Sequence, residues 1–190
     1  MIKVLAFAGS TRKDSFNKLL VKAAQKGAEA EDVEVTFIDL ADLPMPLLDQ
    51  DLELEQGIPA NALKLKHLMI ESDGFLVSSP EYNGSFSGVF KNAIDWASRP
   101  SDGETSLQCF KDKVVIVMSA SPGALGGIRG LPHVRTLLSG LGCLVLPKQL
   151  AVGKAFEVFD ENGAVKQSEQ CESIQSLGSE LVSFIRKIKS

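Results

Sequence analysis

Val4–Asn17, VLAFAGSTRKDSFN, decides how the rest of the chain is read. It begins as an apolar run of strand length and turns at Gly9-Ser10. A polar loop follows, Ser10-Thr11-Arg12-Lys13-Asp14-Ser15, and then a helix at Phe16-Asn17-Lys18-Leu19-Leu20. A strand that breaks into a hydroxyl-rich, cationic loop before a helix start suits a phosphate. The helix end presents unpaired amide N–H groups with the positive end of the dipole behind them. The hydroxyls add donors, and Arg12 adds a planar fork. The same residues also make an ordinary strand–helix loop with a Ser or Asp cap, so the stretch alone leaves both readings open.

Outward from it, strands and helices alternate. Ile2–Ala8 is apolar nearly throughout, as in a strand buried on both faces. Ser15–Glu29 repeats Phe16, Leu19, Leu20, Ala23 and Ala24 at helical spacing, with lysines assigned to the other side. Val33–Asp39 is a second strand, and Leu40–Gly57 a long irregular stretch with apolar Leu43–Leu48 and the acidic run Asp49–Glu55. That run is expected to form a solvated face. Pro59–Ser72 is a helix, Asp73–Ser79 a third strand, Pro80–Ser85 a second polar loop and Gly88–Ser98 a helix. Lys113–Ala120 is a fourth buried strand and Ser121–Gly127 a third loop. Ile128–Gly140 follows as a helix and Cys143–Leu146 as a short fifth strand. Leu150–Lys166 reads as mostly irregular, and Ser168–Lys189 as a closing amphipathic helix. This pattern gives an α/β fold, a flavodoxin-like three-layer sandwich around a five-stranded parallel sheet of order 2-1-3-4-5. Residues 1–190 are expected to form one domain.

Composition narrows the function. The chain is 44% hydrophobic and 23% charged, with a net charge of −4, which argues against an electrostatic nucleic-acid or membrane-surface binder. No apolar run approaches the ~18–20 residues of a membrane span. Cys109, Cys143 and Cys171 are scattered and odd in number, which suggests reduced thiols and a cytoplasmic protein. With only His67 and His133 beside them, no metal site is expected. Cys109 lies in a loop, where either exposure or burial is open to it, with nothing nearby in sequence to activate it.

In the 2-1-3-4-5 order, ligands bind where strands 1 and 3 diverge. The loops there are Gly9–Ser15 and Pro80–Ser85, with Ser121–Gly127 beside them. Ser10, Thr11, Arg12, Ser15 and Asn17 can surround a phosphate with donors. Pro80, Glu81, Tyr82 and Asn83 offer main-chain groups to the edge of a flat heterocycle, and Ser121, Gly123, Gly126 and Gly127 offer small surfaces to its face. Together they describe a mononucleotide with a planar ring. The dinucleotide pattern GxGxxG and the phosphate loop GxxxxGK[ST] are both missing.

GSTRKDSFNKLL, SPEYNGSFSGVFKNAIDWASRP and SPGALGGIRG resemble the NADPH-dependent FMN reductase family, in particular its chromate/quinone reductase-like branch. The resemblance runs from Val4 to about Leu146. It implies non-covalent FMN and hydride transfer from NADPH or NADH to the flavin N5. Two electrons then pass to quinones or other soluble acceptors (chromate, azo compounds, flavins) by a ping-pong cycle. Carried over by position, Ser10, Arg12, Ser15 and Asn17, with Thr11 and Phe16 between them, match the phosphate loop. Pro80, Glu81, Tyr82 and Asn83 match the segment bordering the isoalloxazine, and Ser121 the third flavin loop. Gly84 departs from members with an aromatic there. No acid or base is required, so no catalytic residue is named. A flavodoxin-type electron carrier or a non-catalytic FMN-binding protein is the alternative. A homodimer or homotetramer is expected, closed by Leu43–Leu48 and the helix Gly88–Ser98. Trp96 is assigned to core or interface and His133 to a structural place. Arg129 is left between a structural role and contact with a nicotinamide phosphate or a partner subunit.

Overall fold

The computed structural model describes residues 1–189. Five parallel strands run in the order β2-β1-β3-β4-β5: β1 Lys3–Ala8, β2 Glu34–Ile38, β3 Gly74–Ser78, β4 Val114–Ala120 and β5 Leu144–Val152. The order expected from the strand–helix alternation is the one observed. Its three central strands are buried along almost their whole length.

Each central strand feeds two cores. Val4, Ala6, Leu76, Ile116 and Met118 face one side, where they meet α1 (Phe16–Glu29) and α7 (Ser168–Lys189). Leu5, Phe7, Phe75, Val77 and Val117 face the other, under α3 (Ala60–Glu71), α4 (Gly88–Ala97) and α5 (Leu131–Gly140). Side chains alternate across a strand, so one apolar run serves both layers. Burying a side chain such as Phe7 or Phe75 stabilises by about 1.5–3 kcal/mol. α1 and α7 cross closely. A Cβ on Gly27 would fall 1.9 Å from the Gln175 carbonyl oxygen, and one on Gly178 2.2 Å from that of Ala24.

Several expected boundaries move. The stretch after β2 contains a 3-10 turn, Leu40–Asp42, and a helix, α2 (Gln50–Gln56), capped by the Asp49 carboxylate on the Asp51 N–H. No residue of α2 is buried, so it has no apolar periodicity to reveal it. Within its acidic run Glu53 is not simply solvated: both its oxygens lie 2.9 Å from Arg99 Nε. The preceding apolar loop packs on its own chain. Leu43 is buried, and the Pro46 carbonyl accepts from Trp96 Nε1 and Asn92 Nδ2, both at 2.8 Å. Trp96 is wholly buried.

The fifth strand is longer than expected and reaches Val152. Val115 pairs with Val145, but Val117 pairs with Gln149, so β5 carries extra residues around Pro147. Proline cannot donate to a ladder and is accommodated at a bulge on this edge strand. The passage behind it also holds a short helix, α6 (Ala155–Val158). Cys109 is fully buried, and its thiol donates to the Ala97 carbonyl at 3.2 Å. Lys18 departs from the polar side of α1: it is buried and meets Asp39 at 2.6 Å. No helix among the described residues is long and apolar enough to cross a membrane.

Candidate functional site

The C-terminal ends of β1, β3 and β4 are bound together before any ligand is considered. The Gly9 N–H donates to the Ser78 carbonyl at 2.8 Å, and the Ser87 hydroxyl donates to the Gly9 carbonyl at 2.5 Å. Ser87 also caps α4, its oxygen accepting from the Phe90 N–H. A Cβ on Gly9 would lie 2.8 Å from Phe90 Cβ, so only glycine lets the first loop leave the strand this close to α4.

Asn17 is the main brace. Its Nδ2 donates to the Ala120 carbonyl at 2.9 Å, and its Oδ1 accepts from the Ala120 N–H at 3.0 Å and the Ser78 hydroxyl at 2.9 Å. The side chain expected to donate to a phosphate is thus also engaged on the strand ends. One of the two Nδ2 hydrogens goes to Ala120, which leaves the other, with the backbone N–H of Asn17, for a ligand.

The remainder of the first loop has the properties a phosphate needs. Ser15 is buried at the start of α1 in extended backbone, yet its hydroxyl makes no cap hydrogen bond. The first turn of α1 carries no acidic residue, so none within it offsets the positive helix end. Ser10 is buried and its oxygen accepts from the Arg12 N–H at 3.3 Å, a turn within the loop. Thr11 and Arg12 are exposed. Phe16 is half-buried and stacks on Phe159, with ring centroids 6.2 Å apart. A buried, uncapped serine beside free amides is a donor set for an anion, and it fits the phosphate of FMN.

The second loop is a tight hairpin. Tyr82 and Ser85 exchange backbone hydrogen bonds of 2.8 and 3.1 Å, and Asn83 and Gly84 have φ of 52° and 80°. This is the turn with two left-handed central residues that an Asn-Gly pair favours. The Tyr82 amide is already paired in this turn, so it is not among the main-chain groups offered to a ring edge. The turn also explains Gly84, because a bulky aromatic there would be strained. Glu81 points away from the hairpin tip to the third loop. Its carboxylate accepts from the N–H groups of Arg129 and Gly130 at 3.0 and 3.2 Å, and from Arg129 Nε at 3.0 Å. His133 is the third residue of α5, exposed, with Nδ1 3.0 Å from the Ser85 hydroxyl.

In the third loop the Ser121 oxygen accepts from the Gly123 N–H at 3.1 Å. Gly127, at φ 85°, lies over Ser119, whose buried hydroxyl a Cβ there would approach to 2.1 Å. Between the second and third loops opens a cavity of about 650 Å³. Of the expected residues Glu81, Asn83 and Ser121 line it, with Gly84, Gly123, Gly127 and Arg129 among the others. Its volume is in the range of small-molecule and cofactor sites. Ser10, Thr11, Arg12 and Ser15 do not line it; they sit at the neighbouring end of β1. The contact between Glu81 and Arg129 spans 48 residues and had no signal in local sequence.

A strand end that offers an anion cradle next to a ring-sized cavity is the arrangement of a mononucleotide site. Residues 2–157 match the family model of NADPH-dependent FMN reductases. The chain belongs to that family. It is an oxidoreductase that works with FMN as cofactor and NAD(P)H as co-substrate. Among proteins similar to this family member, a probable NADPH:quinone oxidoreductase 2 of Oryza sativa subsp. japonica is 33% identical, covering 99% of this chain and 91% of its own length. A quinone reductase of Escherichia coli is 32% identical, covering 99% of this chain and 97% of its own. The solved flavoenzyme NAD(P)H:(acceptor) oxidoreductase of Paracoccus denitrificans superposes with a TM-score of 0.82 at 31% identity, over 98% of each chain.

Proposed function

We propose that residues 1–190 form one FMN-binding domain that reduces quinones with NAD(P)H. The single observation that carries this reading is the buried, uncapped Ser15 at the start of α1, beside the open cavity between the Glu81–Asn83 and Ser121–Gly127 loops. When bound, FMN supplies a ring that accepts hydride from the nicotinamide and hands two electrons to the acceptor. The chain's own work is to bind, orient and expose that ring. Arg12 and the hydroxyls of Ser10, Thr11 and Ser15 hold the phosphate with charge-assisted hydrogen bonds. The Asn83–Gly84 turn fixes main-chain donors at the edge of the cavity, where they stabilise negative charge. Tyr82, about half exposed, offers an aromatic face to a planar acceptor.

One open cavity serves both nicotinamide and acceptor, so the two bind alternately and the kinetics are ping-pong. Chromate, azo compounds and free flavins fit the same exposed ring. Leu47, which is exposed while Leu43 is buried, supports a homodimer or homotetramer that covers this edge. The three unpaired cysteines support a cytoplasmic place.

The test is an anaerobic titration followed by steady-state rates. NADPH bleaches the visible flavin bands of the purified protein, and a quinone restores them. Double-reciprocal plots at several quinone concentrations are parallel. A yellow protein that stays oxidised with both NADH and NADPH overturns the reading.

A further inference from the structure

Arg129 is not consumed by its ion pair. Its partner Glu81 is only 10% exposed in its side chain, while the Arg129 side chain is 69% exposed. Glu81 takes the Arg129 and Gly130 N–H groups as well as Nε, so the start of α5 shares in balancing its charge. The guanidinium is thus held by one of its five N–H groups. Among the described residues, no acceptor takes the four on Nη1 and Nη2. The Nε contact fixes the plane of the fork and leaves its outer edge free at the wall of the cavity. Of the residues lining that cavity, Glu81 and Arg129 alone are charged, and the carboxylate already accepts three N–H groups.

We infer that Arg129 is a specificity-determining residue that grips an anionic group on the molecule docking over the cavity. That group is a phosphate of the nicotinamide co-substrate or an acidic substituent of the acceptor. This rests on the proposed oxidoreductase function, and deepens it. A planar fork matches phosphate, sulfonate and carboxylate in a two-point fashion that a lysine cannot reproduce. Because Glu81 orients the fork in advance, little side-chain freedom is lost on binding.

The test compares FMN-loaded wild type, Arg129→Gln and Arg129→Lys. Dissociation constants are measured by calorimetry for NADP+, NAD+ and a sulfonated naphthoquinone. KM is measured for NADPH, NADH, the same sulfonate and unsubstituted 1,4-benzoquinone. Arg129→Gln weakens an anionic ligand by about tenfold or more, Arg129→Lys by less, and KM for the neutral quinone is unchanged. Weakening of NADP+ alone identifies the ribose phosphate as the group. Weakening of both nucleotides identifies the pyrophosphate, and of the sulfonate alone the acceptor. Arg129→Gln with all dissociation constants and KM values at wild-type levels overturns the inference, as does a wild type that binds none of the three ligands. A wild type that binds them through Arg129 but never turns over leaves the inference standing and overturns the oxidoreductase reading.

Discussion

Asn17 and Ala120 are joined in both directions, Nδ2 to the carbonyl at 2.9 Å and Oδ1 from the N–H at 3.0 Å. The side-chain amide imitates a neighbouring strand at the end of β4, and by accepting from Ser78 it ties in β3 as well. Asn17→Ala leaves a buried N–H, a carbonyl and a hydroxyl without partners. It is expected to cost about 2–4 kcal/mol, since each orphaned group costs about 1–3 and some relax. Urea unfolding of the apoprotein measures it. Because the brace carries the start of α1, the same variant also binds FMN more weakly.

Gly178→Ala tests the crossing of α1 and α7. The new Cβ would lie 2.2 Å from the Ala24 carbonyl oxygen, so the helices must separate. A loss of at least about 2 kcal/mol is expected from overpacking, with a lower melting temperature. The flavin spectrum of the folded fraction stays unchanged, because the crossing lies on backbone remote from the three loops.

Thiol chemistry is expected to be selective. Burial pushes the Cys109 thiol up to about 11 and the Cys143 thiol up to about 12, and both are enclosed. Cys171 is partly exposed. At pH 8, iodoacetamide therefore modifies Cys171 alone in the native protein and all three cysteines after denaturation. Mass spectrometry of tryptic peptides reads the result, and quinone reduction is undiminished by the native modification.

Asp73 gives the fold an acid-sensitive joint. Burial raises its carboxyl, but hydrogen bonds from Lys189 and from the Lys3 N–H outweigh this and hold it below the usual carboxylate range. A carboxyl lowered in the folded state stabilises above its unfolded value near ~3.9 and loses that contribution as pH falls through the lowered value. Asp73→Asn is expected to be less stable than wild type at pH 7, the difference shrinking toward pH 3. Melting temperatures across that range show it.

Much of this fold was legible because a parallel sheet writes its central strands as apolar runs. Val4–Ala8, Phe75–Val77 and Val114–Met118 announce themselves, and the alternation with helices fixes the rest. α2 was invisible because it buries nothing, and β5 was cut short at Pro147, which the edge bulge absorbs. The first and third loops were legible as polar, glycine-rich breaks. The division of labour within them was not. Asn17 reads as a ligand donor, and its hold on the ends of β3 and β4 shows only in three dimensions. Glu81 and Arg129 become partners only when the sheet brings their loops together.

The central claim is that the first loop holds a phosphate, and the affinity of the apoprotein for FMN against riboflavin tests it most directly. The two ligands share the ring and differ in the phosphate alone. Several charge-assisted hydrogen bonds, each worth about 1.5–3 kcal/mol, give FMN an advantage of at least about 100-fold. Arg12→Ala removes part of that advantage and leaves riboflavin unaffected. Equal affinity for the two ligands in the wild type would contradict the account.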